Sequence, residues 1–337
     1  VCEEVGMEGA TGIDVSMLKG KKLLNMDSEE EGVMLASCAG GCRADVKLPV
    51  ERETVSGTKL TVSLSGLTGG HSGSEIDKGR GNANTLMSRL LRDASAPVAI
   101  ASIDGGRKDN AIPRECTAQI IVAPDEAAAV KASIEQAAAE IAQEFKASDP
   151  DLKLTVSEET DCSESAISAK DSARVIALIE ALPNGIIRMS REIDKLVETS
   201  LNLGVLKSDD AAVTLRYAVR SSVGVAKKSL KNQLVCIAGA FAAEVTFEGD
   251  YPAWEYKKDS KLREDMVRIF EEMYGKKPTV EAIHAGVECG LLSGKIEGLD
   301  CISMGPDMYD IHTTEERLSI SSAKRSYEYI LRVIACK

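Results

Sequence analysis

Apolar and polar positions alternate along much of the chain, and the changes of period mark its elements. Residues 58–67, Thr-Lys-Leu-Thr-Val-Ser-Leu-Ser-Gly-Leu, carry an apolar side chain at nearly every second position. That spacing predicts a strand with one buried face. Residues 82–92 predict a helix, and 98–103 and 116–122 predict strands. Residues 125–145 are rich in Ala and Glu without a breaker, which predicts a long helix. A strand follows at 151–157. A similar set comes next: a helix over 172–182, strands at 185–189, 201–206 and 212–219, a helix over 230–241 and a strand at 244–247. Two such rounds predict an α+β sandwich, duplicated in pattern but not in residues.

The flanks read differently. Residues 1–40 suggest turn, strand and turn, with a short apolar run, Leu23-Leu24-Asn25-Met26, ending in Asp27. After residue 252, helices at 261–274, near 287–292 and at 321–336 alternate with strands at 279–283 and 301–304. This is the pattern of the end of a parallel α/β sheet. A 40-residue flank cannot bury a core alone. The simplest architecture is therefore discontinuous: residues 1–41 and 249–337 form one domain, and 42–248 are inserted into it.

Composition narrows the partners. The chain has 337 residues, 44% hydrophobic and 28% charged, enough for two packed cores. No apolar run approaches the ~20 residues of a membrane span. With 53 acidic against 41 basic residues the net charge is −12. That argues against nucleic acid and against an anionic membrane. Nine cysteines are scattered singly with no Cys-x-x-Cys; the closest pair, Cys38 and Cys42, falls in what reads as a Gly-rich turn. An odd count and no signal segment predict reduced thiols and a cytoplasmic protein, with no thiolate zinc site.

Candidate chemistry sits in polar loops. Glu3-Glu4 precedes a Gly-x-x-Gly turn and suits a metal ligand beside a general base, or else is a solvated acidic turn. Asp27 ends a buried run, a frequent place for site residues in α/β folds. All three histidines lie among Gly, Ser, Glu or Asp: His71 in Gly69-Gly70-His71-Ser72-Gly73, His284 in His284-Ala285-Gly286-Val287-Glu288-Cys289-Gly290, and His312 just before an acidic stretch. Imidazole with carboxylates suits Zn²⁺, Mn²⁺ or Co²⁺. Asn110 opens the loop Asn110-Ala111-Ile112-Pro113-Arg114, where ordinary turn chemistry is the plainer explanation. Arg220 ends a strand and could grip a carboxylate bidentately, or be a surface arginine. No dinucleotide fingerprint and no P-loop is present.

Taken in order, these segments resemble the aminoacyl-histidine dipeptidase (Xaa-His dipeptidase) branch of the M20 metallopeptidases. The resemblance rests on Glu3-Glu4-Val5-Gly6-Met7-Glu8-Gly9-Ala10, Asn25-Met26-Asp27-Ser28-Glu29, the His71 loop, Gly81-Asn82-Ala83-Asn84 and the Asn110 loop. It continues through Leu196-Val197-Glu198-Thr199-Ser200-Leu201-Asn202-Leu203-Gly204, the His284 loop, and Gly305-Pro306 through His312. It implies a three-layer α/β/α catalytic domain, incomplete at its N-terminus, and an inserted α+β lid, 42–248. It implies hydrolysis of dipeptides, Xaa-His among them, with Glu3 as general base and His71 as oxyanion donor. Glu4, Asp27 and His312 become metal ligands; Asn110, Arg220 and Glu288 face the substrate. Two divalent ions are implied, zinc first, with manganese or cobalt as alternatives. The partner is a small peptide, and a homodimer is left open.

Two departures from the family pattern stand out. Its His-x-Asp motif and bridging Asp lie upstream of Glu3-Glu4, where this chain has no sequence, and Cys2 stands where an acid is usual. The chain is therefore expected to be a truncated form with little peptidase activity alone. The rival expectations are a non-catalytic fragment or pseudoenzyme that binds or dimerises, and an M20 amidohydrolase of N-acyl amino acids.

Overall fold

The structure, a computed structural model, describes residues 7–311 and 313–336. Glu3, Glu4 and His312 lie outside the described residues. In chain order the first elements are α1 (Glu8–Gly12), β1 (Lys22–Asn25), β2 (Val33–Cys38), β3 (Gly40–Pro49), β4 (Arg52–Ser65) and β5 (Gly70–His71). Next come α2 (Ala83–Arg92), β6 (Ala99–Gly105), β7 (Ala111–Ile112), β8 (Cys116–Val122), α3 (Ala127–Glu144), β9 (Lys153–Ile167) and α4 (Ala169–Ala181). Then follow β10 (Gly185–Met189), β11 (Val197–Ser208), β12 (Ala212–Ser221), α5 (Gly224–Ala240) and β13 (Glu244–Tyr251). The last are α6 (Lys261–Tyr274), β14 (Thr279–Ile283), α7 (Glu288–Lys295), β15 (Asp300–Ser303), β16 (Met308–Tyr309), β17 (Arg317–Leu318) and α8 (Ile320–Ala335).

The smaller of the two main sheets has the order β1-β15-β2-β14. Its β1–β15 and β14–β2 pairs are parallel. Side chains alternate between its faces. Leu24, Met34, Ala36, Ile302 and Met304 pack with α6 and α8, whereas Leu23, Leu35, Cys38 and Cys301 pack with Trp254 and α7. Cover on both faces suits β2, whose 6 residues carry no charge.

The larger sheet has nine strands, ordered β13-β3-β12-β11-β6-β8-β4-β9, with β10 added beside β11. Here the strand alternation predicted for 58–67 holds: Leu60, Val62 and Leu64 are fully buried in a core shared with α2, α3, α4 and α5. Asn82 caps α2 by accepting from the backbone N–H groups of Asn84 and Thr85. The two rounds of the pattern meet where β11 pairs with β6.

Two expectations need correction. The stretch around Cys38 and Cys42 is not a turn: Cys38 ends β2, Cys42 lies in β3, and only Ala39 separates the strands. Gly40 sits where the chain crosses between the sheets, and a Cβ there would lie 2.4 Å from the backbone nitrogen of Ala253. Glycine is required by that close approach, not by a turn. The strand expected at 151–157 runs on to Ile167. Its middle, residues 157–161, is an edge, exposed and acidic, and pairing with β4 rather than burial makes it a strand, before Cys162, Ala166 and Ile167 turn inward again. Among the described residues the cysteines are free thiols, and no helix is long and apolar enough to cross a membrane.

Candidate active site

The His71 loop is delivered by β4 and pinned by a short ladder. His71 pairs with Ala111 across β5–β7, and the Ser72 N–H donates to the Asn110 carbonyl at 2.9 Å. His71 and the exposed Asn110 therefore sit side by side. The His71 N–H donates to Glu75 Oε2 at 2.8 Å, and Glu75 is paired with Arg80. The His71 ring is oriented by its own loop. Nδ1 accepts from the backbone N–H groups of Gly73 (3.3 Å) and Ser74 (3.1 Å). An accepting Nδ1 leaves the proton of the neutral ring on Nε2, which becomes a donor. Burial, helped by the Arg220 charge and opposed by Glu75, lowers the His71 pKa and favours that neutral form.

Arg220 arrives from the end of β12, opposite Ser200 in β11 and Gly41 in β3. It is 9% exposed; Nη1 donates to Tyr251 Oη at 3.5 Å, and Nε has no partner among the described residues. Gly73 is the meeting point. A Cβ there would lie 2.5 Å from the His284 carbonyl oxygen, 2.9 Å from His71 Cε1 and 3.2 Å from Arg220 Nε. The loop after β14 supplies His284, whose Nε2 lies 2.7 Å from Ser200 Oγ. Burial first, then the Arg220 and His71 charges, push the His284 pKa down to about 3. The ring is neutral near pH 7.

The same loop continues to Glu288, the half-buried first residue of α7. Asn25 Nδ2 donates to Glu288 Oε2 and to Ser303 Oγ, both at 3.2 Å. Ser303 Oγ lies 2.8 Å from Ser28 Oγ. These groups mark the carboxyl ends of the parallel strands β1 and β15, where α/β sheets place their ligands. Asp27 stands exposed just beyond β1. Among the described residues, no three His, Cys, Asp or Glu side chains gather tightly enough to hold a metal.

The structure thus brings His71, Asn110 and Arg220 to one place, linked by the 284–288 loop to Glu288. It leaves Asp27 apart in the open, and Glu3, Glu4 and His312 outside the described residues. Two contributors had no role assigned from sequence, Ser200 and Asn202. Asn202 Nδ2 donates to the carbonyls of Asp109 (3.0 Å) and Ala111 (2.8 Å) and so fixes the Asn110 loop. The available signal was polar residues, Thr199, Ser200 and Asn202, on a strand whose neighbours are apolar.

A family model, the peptidase dimerisation domain of M20 enzymes, matches residues 62–149. The cytosol non-specific dipeptidase of Escherichia coli (strain K12) is 35% identical over 324 residues, covering 95% of this chain and 67% of the relative. The crystal structure of aminoacylhistidine dipeptidase from Vibrio alginolyticus superposes with a TM-score of 0.91 at 32% identity, covering 99% of this chain and 69% of that one. With a matching fold, a matching dimerisation segment and the ordered site loops on either side, the chain belongs to the M20 metallopeptidase family, in its dipeptidase branch.

Proposed function

We propose that the chain acts on short peptides with a free C-terminal carboxylate, Xaa-His among them, as a cytoplasmic homodimer. In this reading the large-sheet region, 42–248, is the lid, and residues 1–41 with 249–337 are the catalytic domain. The observation that carries the reading is the meeting at Gly73: a neutral imidazole with its proton on the outward nitrogen beside a buried, incompletely paired arginine.

M20 membership implies a divalent metal. The candidate donors Glu4, Asp27 and His312 are oxygen and imidazole groups, a set that fits borderline cations, and Asp27 stands accessible at a strand end. We favour zinc, two ions per site, with manganese or cobalt as alternatives. When bound, the metal polarises the scissile carbonyl and acidifies the attacking water. Glu3 takes the proton of that water and returns it to the leaving amine. His71 Nε2–H donates to the oxygen that becomes anionic. Arg220 and Asn110 hold the carboxylate end of the peptide, and Glu288 faces its other side.

Dipeptide turnover by zinc-loaded protein first decides between this reading and the expectation of little activity by the chain alone, and the size of that turnover is the baseline for each variant. His71→Ala should lower kcat by about 10²–10³ with KM little changed, as expected for a lost oxyanion donor. A kcat within about threefold of wild type would sink this reading.

A further inference from the structure

We propose that Tyr251 is the positioning residue that aims the Arg220 guanidinium. The proposal rests on the substrate reading of Arg220 given above. Strand register places three residues in one row: Arg220 of β12 and Tyr251 of β13 both stand directly opposite Gly41 of β3. Side chains in such a row share a face of the sheet. Arg220 and Tyr251 are two strands apart, about 10 Å, so a side chain on the middle strand would stand between them. Gly41 has none. A Cβ there would lie 2.6 Å from Tyr251 Oη and 2.9 Å from Cζ, so the phenol crosses directly over the glycine. At the end of that crossing Arg220 Nη1 donates to Tyr251 Oη at 3.5 Å.

The phenol is itself held. A Cβ at Gly286 would lie 2.9 Å from Tyr251 Cε2, so the loop after β14 also packs against the ring. Lys227, 7% exposed on α5, donates to the Tyr251 carbonyl and to Asp250 Oδ1. Burial raises the Tyr251 pKa against the pull of the Arg220 charge, so the hydroxyl is neutral near pH 7 and can accept from the guanidinium. Among the described residues Tyr251 is the single hydrogen-bond partner of that guanidinium. An arginine side chain is long and rich in rotamers, so a defined direction needs such a stop. At 3.5 Å the bond is long, and the packed ring carries more of the aim than the hydroxyl does.

The probe is an Ala-His isostere with a CH₂–NH link in place of the peptide bond, as free acid and as C-terminal amide. Calorimetry on the protein in zinc-containing buffer should show the acid bound more tightly than the amide. Tyr251→Leu should weaken the acid about tenfold, the scale of one misaligned charge-assisted hydrogen bond, and change the amide by less than about twofold. Tyr251→Phe keeps the ring and should lose only about threefold. In an Arg220→Ala background neither change should weaken the acid further, because Tyr251 acts through the guanidinium. If Tyr251→Leu weakens both ligands equally, or neither, or if its effect persists without Arg220, Tyr251 is only a packing residue and the proposal is wrong. If the wild type shows no preference for the acid, or Arg220→Ala leaves that preference intact, the substrate reading itself fails, and the proposal falls with it.

Discussion

The two sheets hold their polar groups in opposite ways. On the large sheet, Ser200, Asn202 and Arg220 project from strands in the middle of the order and are buried; Ser200 and Asn202 take partners from distant loops and Arg220 reaches Tyr251 at the end of β13. On the small sheet, Asn25, Asp27 and Glu288 sit at strand and helix ends and are half-buried or exposed. The first arrangement fixes direction: Ser200 and Asn202 are locked by packing and hydrogen bonds, and Arg220 chiefly by packing. The second fixes only location, leaving groups at a rim that water and ions can reach. The proposed function would use both, a rigid frame for the carboxylate and the oxyanion and an accessible rim for the water.

That contrast can be broken deliberately. The largest expected effect outside His71 itself is Gly73→Ala. The new methyl would press on the backbone carbonyl of His284, which cannot swing aside as a flexible side chain could. A shift of about 1 Å in the His71 ring should lower dipeptide turnover by about 10²-fold, read in a steady-state assay. The matching change at the open rim, Asn25→Ala, frees Glu288 and Ser303 and should alter kcat/KM by no more than about threefold.

Stability should show the same asymmetry. Asn202→Ala, at a fully buried position, strips the half-buried carbonyls of Asp109 and Ala111 of their donor and should cost about 2 kcal/mol in denaturant unfolding. Asn25→Ala, half-buried and able to be replaced by water, should cost under about 1 kcal/mol.

The smallest effect, and the most specific, is on pH. His284 is held at about 3 in the folded chain, below its ordinary 6.5. The unfolded chain therefore binds the proton more readily, and acid favours unfolding. The contribution of His284 is fully present above about pH 6.5 and drains away as pH falls towards 3. His284→Asn should flatten the stability curve in that window and leave its slope above pH 7 unchanged. A slope below pH 6 identical to wild type would show that the ring is not buried neutral.

Much of this molecule was legible in the sequence. The period-two run at 58–67 gave a strand with Leu60, Val62 and Leu64 inward, and the predicted bounds of β8, β10, α6 and β14 match the structure. Local spacing sufficed there because one face of each element meets one core. It failed in β9, whose exposed, acidic middle is a strand only because β4 lies beside it, and at Cys38–Cys42, where glycines that look like a turn serve a close crossing. Motif order placed the loops of His71, Asn110, His284 and Glu288, and the fold match and relatives agree with the family that order suggested.

What the chain's own letters determined is therefore most of the longer elements from residue 58 onward, but not β2 or β3, together with the acidic, cysteine-scattered composition and the chemical types at the site. Only the tertiary structure decided which of them act together. Ser200 meets His284 across 84 positions, and Arg220, His71 and His284 meet at Gly73 because β12, the loop after β5 and the loop after β14 converge there. Periodicity reports which face of an element is wet. It carries no information about which distant loop will lie against that face, because register between strands is set by the packed core as a whole.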